Sequence, residues 1–240
     1  MIRFRSISAA CLVLLAALVF PAGCGTPRDG EEAALRGEAL SSLQRLAETP
    51  AFRYRLRLES MVGVSGQTVS GEERCEGSRT PAGFTLSLAR STPVGEEGSV
   101  LLETGGRRFR QEGETWKESE DAAWNPLYDP LSFTGVARHV QSAVLEGEEE
   151  RGGVWCRRLL LRLDPSAAGD LLTAGTWSYF SHLRYELFLR LWAGDAASPP
   201  LSLQLEVLAY DPAENLLRYR MLATLEPYDL GAADISLPQP

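Results

Sequence analysis

Residues 52–59 read Phe52-Arg53-Tyr54-Arg55-Leu56-Arg57-Leu58-Glu59. Strict alternation of apolar and charged side chains matches the two-residue repeat of a β-strand, whose successive side chains point to opposite faces. One face of this segment is oily and the other carries guanidinium and carboxylate groups. Such a strand belongs in a sheet that is buried on one side and wet on the other.

The pattern recurs on both sides of it. Gly63 to Gly66 reads as a turn and Gln67 to Glu76 as the returning partner. Phe84, Leu86 and Leu88 alternate next, followed by Val100 to Glu103. Gly105-Gly106 marks a tight turn before Phe109, and Gly113 marks another before Thr115-Trp116-Lys117. Val154 to Leu163 resumes strand character. Tyr185, Leu187, Leu189 and Leu191 then oppose Arg184, Glu186 and Arg190, and Leu201, Leu203, Leu205 and Val207 oppose Ser202, Gln204 and Glu206. Leu217, Tyr219, Met221, Ala223 and Leu225 complete the series. The connectors 193–200 and 211–215 are rich in turn residues, and Ile235-Ser236-Leu237-Pro238 offers a short final strand. The sum is a curved, mostly antiparallel sheet of roughly eight to eleven strands, near the size at which sheets curl.

Three segments follow a helical repeat instead. In 32–48, Leu35, Ala39, Leu43 and Leu46 form one stripe, which Gly37 weakens by about 1 kcal/mol relative to alanine and Pro50 ends. Residues 131–145 place Phe133, Val136, Val140 and Val144 on one side. Asp164 is a natural N-cap with Pro165 in the first turn, opening a helix to about Phe180. The fold class is therefore α+β, with the helices covering the apolar face of the sheet.

The N-terminus assigns a compartment. Arg3 and Arg5 precede an uncharged, mostly apolar run from Ile7 to Phe20, short of the roughly 20 apolar residues that span a bilayer but suited to a secretory signal. Ala22-Gly23-Cys24 resembles a lipobox, with Pro21 departing from the usual aliphatic residue. Cleavage before Cys24 gives a signal peptide at 1–23, a lipidated Cys24 with a tether at 24–31, and one domain at 32–240. The alternative is an uncleaved signal anchor with an incidental cysteine. The expected location is extracytoplasmic, lipid-anchored to a bacterial membrane, and two acyl chains hold far better than one.

The formal charge of −8 argues against a nucleic-acid partner. Cys75 and Cys156 remain after Cys11 leaves with the signal and Cys24 takes the lipid. In an oxidising compartment they are expected to pair as a disulfide worth roughly 4 kcal/mol in the chain-entropy model, the alternative being two unrelated buried thiols. Nothing points to an enzyme. His139 and His182 lie far apart, no nucleophile elbow, zincin motif or P-loop occurs, and Glu72-Glu73 and Glu148-Glu149-Glu150 read as solvated turns. No metal site and no cofactor are indicated.

The opening helix before Phe52-Arg53-Tyr54-Arg55-Leu56, the Trp116-Lys117 strand, the Asn125-Pro126-Leu127-Tyr128-Asp129-Pro130 entry to a helix and the ending Ile235-Ser236-Leu237-Pro238 together resemble the lipoprotein-carrier superfamily of LolA, LolB and the mycobacterial LppX and LprG lipoproteins. The resemblance implies an open half-barrel with helices plugging its concave face around an apolar cavity. It implies an acyl lipid or lipidated molecule as ligand, for transport or presentation. Candidate cavity residues are Leu56, Leu58, Phe84, Leu86, Trp116, Trp155, Trp177, Phe180 and Tyr185, any of which equally suits a plain core. The alternative function is a protein-interaction or sensory envelope lipoprotein of the same fold with a protein partner and no bound lipid.

Overall fold

The computed structural model describes residues 29–240 apart from 65–66, 93–94, 120–123 and 196. The signal segment and Cys24 lie outside the described residues. Helix α1 spans Asp29–Glu48, beginning three residues before the apolar stripe suggests. Its buried face is the expected one, Leu35, Ala39, Leu43 and Leu46, joined by Ser42, whose hydroxyl donates to the Ser198 carbonyl at 3.2 Å.

The strands are β1 (Phe52–Val64), β2 (Gln67–Thr80), β3 (Gly83–Thr92), β4 (Gly95–Thr104), β5 (Arg107–Glu112), β6 (Thr115–Glu118), β7 (Val140–Arg151), β8 (Val154–Leu163), β9 (Arg184–Ala193), β10 (Ser202–Tyr210) and β11 (Leu217–Tyr228). They form one antiparallel sheet in the order β6-β5-β4-β3-β2-β1-β11-β10-β9-β8-β7. The sheet is open and curved. Two meanders, β1–β6 and β7–β11, run outward from a central seam where β1 pairs with β11, Leu56 opposite Leu225. The chain leaves one edge at β6 and re-enters at the other edge, β7, so the connection between them must cross a face of the sheet.

That crossing carries α2 (Ser132–Gly135) and a following 3₁₀ turn, Val136–His139. The helical repeat of 131–145 is therefore overridden after its first half, because Val140–Arg151 is a strand. The reason is a partner. Gly152 and Gly153, at φ +57° and +80°, form the two-residue connection whose twist suits a hairpin, and β8 lies directly beyond it. The segment opened by Asp164 is also broken. Asp164 does cap it, accepting from the Ser166 N–H at 2.9 Å, but the chain divides into a 3₁₀ turn at Pro165–Ala167, α3 (Ala168–Leu171) and α4 (Ala174–Phe180). Leu172 is extended at the break, and Thr173 re-caps α4 by accepting from the Thr176 N–H at 3.1 Å. The tail forms no strand. It is strapped beside β1 by Arg53, which binds Asp229 at 2.6 Å and Asp234 at 3.0 Å.

Alternation sorts the sheet cleanly. Leu56, Leu58, Phe84, Leu86, Leu159, Leu161, Leu187, Leu189, Leu203, Leu205, Ala223 and Leu225 share the inner face with the helices in one contiguous core. The outer face carries a chain of ion pairs running from strand to strand.

The disulfide expected between Cys75 and Cys156 is not formed; both are free, buried thiols. Cys75 faces inward opposite Leu56, whereas Cys156 sits on the outer face, its thiol donating to the Glu149 carbonyl at 3.1 Å. Four strands separate β2 from β8, about 24 Å along the sheet at ~4.8 Å per strand, and a disulfide needs Cα atoms within about 7 Å. Burial pushes the Cys75 thiol up to about 12. Both thiols of the domain are thus expected to resist a thiol reagent at pH 8 in the native protein and to react together in denaturant without reductant. A chain that yields no thiol until reduced contradicts this arrangement.

Gly77 sits opposite Tyr54, whose ring lies across it, so an added Cβ would meet the ring at 2.8 Å as well as the Thr85 carbonyl. Gly77→Ala is expected to destabilise by about 1–3 kcal/mol, the usual penalty of overpacking, read from the urea midpoint at constant m-value.

Candidate functional site

The inner face is the one to which the resemblance assigns a ligand. Leu56 and Leu58 on β1, Phe84 and Leu86 on β3 and Tyr185 on β9 all point into it and are buried. Helix α4 lies over the far half. Its Trp177 ring is 5.6 Å from Tyr185 and its Phe180 ring 5.2 Å from Tyr219, while the Tyr185 hydroxyl donates to the Phe180 carbonyl at 3.0 Å. A helix of only seven residues has little intrinsic stability. Those three contacts fix it to the sheet. Seven of the candidate cavity residues therefore share the inner face, Phe84 and Leu86 under Trp124 at one end and Trp177, Phe180 and Tyr185 at the other.

The other two stand apart. Trp116 pairs with Gln111, and alternation places it with Phe109 and Leu102 on the outer face, half-buried. Trp155 is 63 % exposed at the end of the β7–β8 hairpin. Both were counted by residue type, and residue type carries no facing. Parity turns Trp116 outward, whereas Trp155 shares the inner parity of Leu159 and Leu161 and is exposed because it lies at the hairpin end.

The two acidic clusters read as solvated turns both lie within strands, Glu72-Glu73 in β2 and Glu148-Glu149-Glu150 in β7, and alternation sends Glu73 inward together with Arg90. Glu73 and Arg90 flank Cys75 and Leu88 at two-residue spacing, and so share their face. Glu73 accepts from the Arg90 guanidinium at 2.8 Å and from the Tyr128 hydroxyl at 2.9 Å. Tyr128, delivered by the 3₁₀ turn Pro126–Tyr128, in turn offers its carbonyl to the Tyr54 hydroxyl at 2.8 Å. Arg79 closes the row on Asp129 at 3.3 Å. Trp124 seals this end, 6.2 Å from Phe84 and 6.1 Å from Tyr128 by ring centroid. The signal for this cluster was legible: a carboxylate and a guanidinium at positions of an oily face, where charges stand only if paired.

Open depressions lie on the opposite face. Three adjoin one another along β11, β1, β2 and β3, with volumes of about 610, 580 and 300 Å³. Their floor is of small residues, Ser87, Ala89, Ser91 and Thr224, and their walls are Arg55, Arg57, Arg74, Glu59, Glu72 and Glu76. The walls neutralise one another, Arg57 and Arg74 both binding Glu72, at 3.0 and 2.7 Å. Among the described residues no group of histidine, cysteine and acidic side chains could hold a metal ion, and no helix is long and apolar enough to cross a membrane.

No protein-family model matches the chain, and no curated protein matches it. Solved structures do. LprF from Mycobacterium bovis is similar over 85% of this chain and 96% of its own, with 10% identity and a TM-score of 0.50. The Mycobacterium tuberculosis lipoprotein LppX is similar over 86% of this chain and 99% of its own, with 11% identity and a TM-score of 0.51. The chain has the LppX-like fold expected from the sequence.

Burial raises the hydroxyl pKa of Tyr54, Tyr128 and Tyr219 above the ordinary value near 10, reinforced at Tyr128 by Glu73. The unfolded chain then releases protons near pH 10 that the folded one retains, so stability is present in full below that pH and falls as pH rises. Cys75, raised from 9.0, adds to the same trend from about one unit lower. The urea midpoint is expected to decline between pH 9 and 11, and Tyr219→Phe to flatten the decline; an unchanged midpoint over that range contradicts it.

Proposed function

We propose that this protein is a non-enzymatic extracytoplasmic lipoprotein, anchored to a bacterial membrane through a lipidated Cys24, that binds an acyl lipid or lipidated molecule between the inner face of the sheet and the helices. The observation that carries the reading is the apolar inner face shared with α4, in the fold of LppX. Releasing α4 exposes Trp177 and Phe180 at a cost of about 3–6 kcal/mol, and acyl burial at roughly 0.8 kcal/mol per methylene offsets that with about four to eight methylenes. An acyl chain is thus a sufficient wedge. The site consists of Leu56, Leu58, Phe84, Leu86, Trp177, Phe180 and Tyr185, with Tyr219 beneath α4.

The outer depressions favour a second reading, a protein-interaction or sensory lipoprotein in which the trough along β11, β1, β2 and β3 seats a partner and the inner face stays packed.

Native mass spectrometry separates the two. The domain from Gly25 onward, exported without Cys24, is expected to carry a discrete mass excess that is lost on denaturation and identified as a phospholipid or glycolipid. Trp177→Ala with Phe180→Ala is expected to alter its retention. A clean apo mass across preparations, with no lipid transfer between vesicles, transfers the assignment to the partner-binding reading.

A further inference from the structure

Of the five tryptophans, Trp155 alone is exposed, and with Val154 at 43 % it forms the end of the β7–β8 hairpin. Among the described residues its indole makes no hydrogen bond and no ring stack. The contrast with Trp192 on the adjacent strand β9 is sharp. On the outer face, Trp192 is buried, bonded to Glu149 and covered by the Arg151 guanidinium at 4.2 Å. The fold therefore satisfies one indole in this corner and leaves the other open to solvent.

Helix α1, which the N-terminal segment leads into, also touches this corner. Arg157, two residues beyond Trp155 on the same face of β8, is ion-paired with Glu38 of α1. From Glu38 back to Asp29 is nine helical residues, about 14 Å at 1.5 Å each. From Asp29 back to Cys24 is five more, at most about 17 Å at full extension. If Cys24 carries the lipid, as proposed above, the bilayer surface lies within that short reach of the start of α1. We infer that the Val154–Trp155 hairpin end is a foot that rests on the lipid interface beside the anchor, with the Trp155 indole at headgroup depth. An amphipathic ring with an apolar body and one N–H donor is the side chain best suited to that layer.

The surrounding charge selects the lipid. Glu150 stands opposite Trp155 across the hairpin and is exposed, and Glu148 is shared with Arg157 at 3.8 Å. Arg151 and Arg157 are set against Glu38, Glu148, Glu149 and Glu150, so the foot keeps a net negative charge, which tolerates zwitterionic headgroups and is repelled by an anionic leaflet. The inference rests on the anchored reading and is independent of any lipid held on the inner face.

The test uses the processed protein, extracted from membranes and reconstituted into phosphatidylcholine vesicles whose acyl chains carry bromine near the headgroup. Its intact mass reports separately whether Cys24 is lipidated. A maleimide lipid coupled to a Cys24 found unmodified supplies the same tether, so a missing native lipid and a missing foot are told apart. Bromine is expected to quench part of the tryptophan emission, and Trp155→Phe to lose most of that quenching while the circular dichroism stays unchanged. Exchanging part of the phosphatidylcholine for phosphatidylglycerol is expected to weaken the quenching, and Glu150→Gln to restore it. Quenching that is absent in the tethered wild type, or equal in Trp155→Phe, overturns the foot. Quenching that grows with anionic lipid overturns the stated selectivity.

Discussion

The first strand of this sheet is paired along its length with the last, Arg53 opposite Tyr228 through Val62 opposite Tyr219. Every other neighbour in the sheet is also a neighbour in sequence, apart from the link the helices make between edges. The β1–β11 seam is thus the one long-range closure on which the architecture rests, and its loop-closure entropy is recovered only when both meanders are in place. It also dictates where the helices go. Because the seam is central, β6 and β7 are opposite edges, and the chain between them has to travel over the sheet. The face it crosses becomes the inner one. The covering of that face and the pairing of β1 with β11 are the same constraint seen from two sides.

The two faces use that constraint differently. Outside, Arg158 and Arg190 bind Glu146 at 3.1 and 3.2 Å, Arg190 and Arg220 bind Glu206 at 3.5 and 2.8 Å, and Arg57 binds Glu59 and Glu72 at 3.2 and 3.0 Å. Where both partners are exposed, as in Arg57–Glu59, a pair contributes little, while Glu146, Arg190 and Glu206 are largely covered. The joint effect of these pairs is on register, since a one-residue slip would bury the whole row and expose the leucines. Inside, the charged groups are few and ion-paired, and Glu73, Arg90 and Tyr128 tie β2, β3 and the crossing segment into one unit. The half of the inner face under this unit is braced by directional bonds. The half under α4 is held by ring contacts and one hydrogen bond. Any opening of the inner face is therefore expected at α4.

What was legible in the sequence was whatever one strand or helix states about itself. Alternation from Phe52 to Glu59 and in the last three strands located the strands, their faces and the open antiparallel sheet, and the α1 stripe named its own buried residues. What failed depended on a partner elsewhere. Val136, Val140 and Val144 satisfy a helical repeat, yet Gly152-Gly153 and the strand beyond it decide for a hairpin, and that glycine pair was in plain view. Cys75 and Cys156 were paired by compartment, which says nothing of the opposite faces they occupy. Trp116 and Trp155 were assigned to a cavity by residue type, while parity turned Trp116 outward and a place at the hairpin end left Trp155 exposed.

The dense inner face bears on the carrier reading through energetics. An empty apolar cavity costs about 24 cal/mol per Å³, so a void of some 500 Å³ would cost about 12 kcal/mol, as much as the whole stability of a typical domain. That cost favours a ligand-free form in which this face is closed. In that form the helices are seated and aromatic rings occupy the proposed acyl site. Trp177 against Tyr185 and Phe180 against Tyr219 have that form: large flat groups on a short, separately capped helix, able to leave together without disturbing the sheet. The packed core and the proposed lipid site are then two states of one surface. The difference between them is set by α4, whose displacement exposes fewer apolar groups than a single long acyl chain covers.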